Sequence, residues 1–291
     1  EYGELSVGGY PYRLEVTASD VKASGLTTTV AWNWRTPVLR AIAHPWKLSH
    51  WVTVFEAPSE IELDLASNWA AALKAGRGRM SVILGPDELL ERVSLDLRDL
   101  RVQPNMGSDY ADISRFQVHF RQGTPVNQTV DAAVFIEELV FGHAHGYFFG
   151  QHLQEFNAEI SLVGRLPVAW TRAALDRWRQ AGGLVELHTL QMRWGDLDVQ
   201  LDGTFAIDGK YRPIGAASAV MKGYPILLEA LGRKGLISDP VVFAAELAFD
   251  LLSEPASGDG QGLLRVPVTI QDGSLHLGPV PLMAIGAVIA P

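Results

Sequence analysis

The sequence predicts a mainly β, β-rich α+β protein, built as an elongated, curved antiparallel sheet with a few packed helices. Three observations predict it. Apolar and polar residues alternate with period two over many stretches, several stretches change parity part-way, and Asp-Gly steps punctuate them. Side chains alternate faces along a strand, so each stretch carries one apolar and one polar face.

In chain order, Ile61, Leu63 and Leu65 alternate with Glu60, Glu62 and Asp64. Ala66 to Ala75 (ASNWAAALKA) is Ala-rich and predicts a short helix. Val93, Leu95 and Leu97 alternate with polar residues, and Leu100 and Val102 continue at the other parity, which predicts a β-bulge. Phe116, Val118 and Phe120 follow the same rule. Trp170 to Ala181 predicts a helix that stops at Gly182-Gly183.

Val185 and Leu187 change parity to Leu190, Met192 and Trp194. From Asp196 to Asp208 the residues Leu197, Val199, Leu201, Phe205 and Ile207 share one parity, with Gly203 marking a bend or bulge. Asp208-Gly209 predicts a hairpin with a return strand over Pro213 to Val220. Met221 to Lys234 is a further helix candidate, interrupted by Gly223 and Pro225. Asp239 to Leu252 predicts a helix with Asp239 as N-cap, Pro240 in the first turn and a stripe of Val242, Leu247 and Leu251. Ser253 to Gly262 is a loop by composition. Val266, Val268 and Ile270 precede Asp272-Gly273, and Leu275 and Leu277 follow it, forming a last hairpin before an apolar closing segment from Pro279 to Pro291. No linker separates the halves, so residues 1–291 are expected to form a single continuous domain with two sub-halves, about 1–164 and 165–291.

The totals narrow the function. The 291 residues are 47% hydrophobic and 20% charged, which is a globular composition. A formal net charge of −9 argues against a nucleic-acid surface and against a polybasic membrane-surface binder. The absence of cysteine removes disulfides, thiol catalysis and thiolate metal sites. No apolar run is long enough for a spanning helix. The chain begins at Glu1 without Met and enters strand-like sequence at once, which predicts that an upstream signal or anchor has been removed.

Gly8 to Pro11 (GGYP), Tyr12 to Val16 (YRLEV), Leu65 to Leu73 (LASNWAAAL), Arg92 to Val102 (RVSLDLRDLRV), Ala181 to Glu186 (AGGLVE), Trp194 to Gly203 (WGDLDVQLDG) and Val266 to Pro281 (VPVTIQDGSLHLGPVP) occur in an order that resembles the domain-of-unknown-function family 2125 of Gram-negative envelope proteins. The resemblance implies a periplasmic body held to the inner membrane by an N-terminal anchor. Family members often have cysteines near the GGYP block, and this chain, with Thr17 and Ala18 there, has none. The last hairpin is also similar to AsmA-like lipid-handling β proteins, which implies a groove for acyl chains.

Candidate chemistry is sparse. His143, His145 and His152 lie within ten residues and are candidate metal ligands, but no carboxylate sits at a ligand spacing and there is no HExxH. Ser19 to Lys22 (SDVK) matches SxxK without a second motif, GxSxG is missing, and Gly258 to Gly262 (GDGQG) lacks the P-loop lysine. Asp196 and Asp198 fall on the polar parity of a strand, where solvation is the default.

The expectation is therefore a non-enzymatic periplasmic protein, without cofactor, that binds a lipid-like apolar ligand in the concavity of its sheet. Leu197, Val199, Leu201, Phe205, Ile207 and Trp194 would line that groove. The alternatives are an envelope structural or interaction module with a protein partner, and a metal-dependent hydrolase using His143 and His145.

Overall fold

A computed structural model describes residues 1–27, 30–65, 69–86, 88–104, 109–123, 129–142, 149–166, 171–254 and 262–288. His143 and His145 lie outside the described residues, and His152 opens a strand with its side chain exposed. The chain divides into two compact units. One comprises residues 1–122 with 133–145, the other residues 123–132 with 146–291.

The first unit contains β1 (Leu5–Gly8), β2 (Leu14–Leu26), β3 (Val30–His44), β4 (Lys47–Leu65), β5 (Trp69–Leu84), β6 (Leu90–Pro104), β7 (Ala111–Gln122) and most of β8 (Thr129–Phe141). Strand order is chain order, and each neighbour pair from β1 to β7 is antiparallel. The first four residues of β8 belong to the second unit, which continues with β9 (His152–Val163), α1 (Arg172–Gln180), β10 (Leu184–Trp194), β11 (Leu197–Ile207), β12 (Pro213–Lys222), α2 (Tyr224–Arg233), α3 (Asp239–Leu252), β13 (Leu264–Gln271), β14 (Ser274–Leu277) and β15 (Val280–Ala284). Here too the strands from β9 to β15 are antiparallel in chain order. The β-rich α+β class is thus as the alternation predicts.

Parity changes organise the first unit. Away from the middle of each strand, inward residues recur every second position. At the middle they are three apart: Ala18 and Val21, Thr36 and Leu39, Ala75 and Gly78, Leu97 and Leu100, Ile113 and Phe116, Ile136 and Leu139. Asp20, Asp99 and Glu138 take left-handed φ of 49°, 53° and 51° at these places. Neighbouring strands switch in the same row. Ala75 therefore still faces Leu100, and Arg77 still faces Arg98, with no slip of register. The predicted bulge after Leu97 is instead a matched kink on adjacent strands. Only β4 holds a true extra residue there, between Glu56 and Ser59. Together the kinks form a crease from β2 to β8.

Ladder bonds are interrupted along the crease, and side chains replace them. Trp34 Nε1 donates to Ser59 Oγ at 2.8 Å, and Thr36 Oγ1 donates to the Glu56 carbonyl at 3.2 Å. Both hydroxyl residues are buried, so each satisfies a polar group that has no water to turn to.

In the second unit α2 and α3 cover one face of β11 to β15. Leu228, Phe249 and Leu264 are fully enclosed, with Met221, Val266 and Leu277 around them. Helix α1 docks by Trp178, whose Nε1 donates to the Val163 carbonyl at 2.9 Å, over Gly183 and Gly164. A bulge at His188 gives β10 one extra residue against both β9 and β11.

Several expectations need correction. Residues 69–75 of the predicted Ala-rich helix are strand β5, because β4 and β6 supply ladder partners on both sides and tertiary pairing overrides propensity. At Gly203 the β10–β11 ladder shifts register, with the extra residue on β10 rather than on the glycine's own strand. On its other side Gly203 pairs in unbroken register with Ala217, and a Cβ there would collide with that strand. The helix over 221–234 begins only at Tyr224, after Gly223 with φ 75°. Ser238, not Asp239, is the N-cap of α3. On α3 the inward face is Ala245 and Phe249, while Leu247 and Leu251 point outward with Phe243.

Candidate functional site

The first unit has no helix among its described residues, yet its sheet has one apolar face. Register shows how the face is built, since directly paired residues share a side. On one side of the crease, Ala23, Trp34, Ile61, Leu73, Val102 and Ala111 form a row across six strands. On the other, Ala41, Thr53, Met80, Leu95 and Val118 form a second, and Ala43, Trp51, Val82, Val93 and Phe120 a third.

Burial is deepest along the crease, at Phe55, Ala75, Leu97, Leu100 and Ile113. Trp34, Met80, Leu95, Val102 and Phe116 pack against that cluster but remain half-buried. On this inner face, where the crease residues pack together, the flanking rows remain largely half-buried. Phe55 sits at its floor, edge-on to Trp34 with ring centroids 5.7 Å apart.

The reverse face of the same strands is charged. Arg115 holds Asp96 by two hydrogen bonds, 3.0 and 3.1 Å, and reaches Glu137 at 3.4 Å. The Arg115 hydrogen bond holds the Asp96 carboxyl below its ordinary range, against the opposing effect of partial burial. Arg101 does the same for Asp112 through a bidentate pair at 2.6 and 2.7 Å.

The sequence-predicted groove residues lie on β10 and β11 of the second unit. Leu197 is 1% exposed at the edge of a cleft of about 330 Å³, and Val199 and Leu201 are half-buried against the cluster under α2 and α3. Phe205 and Ile207 are half-buried toward the other end of β11. Trp194 is tied down, its Nε1 donating to the Gly150 carbonyl at 2.9 Å and its ring edge-on to Phe149.

Sequence reasoning missed one polar cluster. Ser161 Oγ donates to Asp131 Oδ1 at 2.6 Å and lies 2.7 Å from His188 Nε2. Ser161 is buried, and the bulge in β10 is what turns His188 toward it. The order is Asp–Ser–His. A nucleophilic relay needs the histidine between acid and hydroxyl, so this arrangement fixes three strands rather than activating the serine. Among the described residues no group of three metal-ligating side chains converges. A polar cleft of about 370 Å³ lies beside Glu155, Gln191, Arg193, Asp198, Gln200 and Lys222. Its charges alternate across the registered row Glu155, Arg193, Asp198, Lys222 and so neutralise one another.

A family model described as an uncharacterized protein conserved in bacteria (DUF2125) matches residues 1–285. Comparison with curated proteins and with solved structures finds no match.

Proposed function

The chain belongs to the DUF2125 family of uncharacterized proteins conserved in bacteria, and we propose that this member is a non-enzymatic envelope protein that holds a lipid-like apolar ligand against the inner face of its first unit. One observation carries the reading: the helix-free apolar face of β2 to β7, whose flanking rows remain half-exposed. Contiguous apolar surface of that kind marks a binding site in soluble proteins. An acyl chain laid along the crease would gain about 0.8 kcal/mol for each buried CH₂. The polar groups at the floor, Ser59 and Thr36, already have partners, so an apolar ligand leaves none stranded.

Native mass spectrometry of gently purified protein, paired with solvent extraction, tests this. The expected result is a co-purified lipid-sized species, lost when Met80 and Leu95 are both changed to Glu. A chain that carries no extractable apolar molecule and binds no fatty acid in titration would overturn it.

The compartment is proposed to be the periplasm, which is what the resemblance read from the sequence implies. The absence of cysteine makes this testable, because Leu26→Cys would place a single thiol at a residue 82% exposed. A membrane-impermeant maleimide should label it once the outer membrane is permeabilised. Labelling only after lysis of the inner membrane would refute the assignment.

A further inference from the structure

We propose that the face of β5 to β7 opposite the apolar one docks on a bilayer surface rich in anionic phosphate headgroups. The net charge of −9 hides a local reversal of sign. Strand β5 carries Lys74, Arg77 and Arg79 and no acid over its 16 residues. In the row at the crease, Arg77, Arg98 and Arg115 face one another in direct register across β5, β6 and β7. The row next to it pairs Arg79 with Asp96, and the row on the other side pairs Lys74 with Arg101, each of which is neutralised in its own ion pair, with Glu60 and with Asp112.

Like charges directly opposite on neighbouring strands repel, so a row of three arginines is unfavourable unless counter-charge is supplied. The protein supplies little. Asp96 serves Arg115 by hydrogen bond and is the carboxylate felt by both Arg98 and Arg79. Glu137 also goes to Arg115. Arg77, Arg79 and Arg98 have no ion-pair partner among the described residues, and Glu56, which precedes Arg77 in its row, forms none with it. These guanidinium groups lie on the face opposite the apolar one, and all three residues are exposed.

Planar guanidinium groups about 5 Å apart at the backbone match phosphate oxygens better than isolated carboxylates. The array runs across three strands in direct register, which fits an extended surface of headgroups rather than one small anion. The inference does not rest on the apolar-ligand reading, because the arginines occupy the opposite side of the strands.

Vesicle flotation at low salt tests it. Vesicles of phosphatidylcholine containing a third phosphatidylglycerol should carry the protein up the gradient, and pure phosphatidylcholine should not. Rising salt should release it. Arg77→Gln with Arg98→Gln should weaken partitioning about fivefold per arginine removed. Arg77→Lys with Arg98→Lys, which keeps the charge, should retain most of the binding and guards against misfolding in the first pair. Arg233→Gln with Lys234→Gln makes the same change in net charge on α2 and its C-cap, and should leave flotation unchanged. Failure to float with anionic vesicles overturns the proposal. So does equal loss in the α2 pair, or binding to inorganic phosphate or an oligonucleotide without binding to vesicles.

Discussion

The ring of Phe55 lies over Gly78, its directly registered partner on β5, in the space that a Cβ at position 78 would need. The glycine leaves a gap in the sheet and the aromatic ring fills it from the neighbouring strand. Gly78→Ala should push Phe55 off the floor of the crease and lower stability by about 1–3 kcal/mol. Urea unfolding should show a lower midpoint with an unchanged slope, and a midpoint equal to wild type would show that the ring is free to move aside.

Asp96 makes part of this stability depend on pH. Its carboxyl is held below the ordinary range, first by the hydrogen bond from Arg115. A group depressed in the folded state contributes stability above its unfolded value of about 3.9 and loses it as pH falls through the folded one. Asp96→Asn should therefore cost up to about 1 kcal/mol at pH 7, since the pair is partly exposed, and should flatten the acid limb below pH ~4. Denaturation midpoints measured from neutral to acid pH check both halves.

The helical cap of the second unit predicts a larger loss. Phe249 is 0% exposed and edge-on to Tyr224, with Leu228 beside it. Phe249→Ala should cost about 3–5 kcal/mol. Thermal unfolding followed by near-ultraviolet circular dichroism should register it, whereas Phe243→Ala, on the exposed side of α3, should change stability by less than about 0.5 kcal/mol.

The open flanks of the first unit can be probed without knowing the ligand. A naphthalene sulfonate dye should fluoresce with the folded protein and be displaced by long-chain fatty acid. Met80→Glu with Leu95→Glu, which are paired residues on the inner face, should reduce dye binding at least tenfold. Leu247→Glu on α3 should leave fatty-acid displacement unchanged.

Much of this architecture was legible in residue order. The switch from Leu97 to Leu100 is written in the sequence, because the inward residues are themselves apolar and their spacing changes from two to three. Residues 69–75 were not legible: a run of alanines favours helix locally, and only the presence of β4 and β6 decides otherwise. Helix α3 misled in another way. It is apolar almost all round, so periodicity found a helix, but of the stripe Val242, Leu247 and Leu251 only Val242 packs on the core. The alternation pointed to an apolar face on β11, while the apolar face without a helix among its unit's described residues lies on β2 to β7. Which strands keep an uncovered face depends on where helices dock, and alternation within a strand carries no record of that. The row of Arg77, Arg98 and Arg115 was equally hidden, because its members are about twenty residues apart and meet only through register.

Because strands β1 to β7 each pair only with their neighbours in the chain, the width of the inner face is set by how many hairpins the gene encodes. Duplication of one hairpin would extend it by about 10 Å, and deletion would shorten it by as much, with every other ladder left in place. The extent of that face is thus adjustable in evolution by whole hairpins, without redesign of the strands on either side.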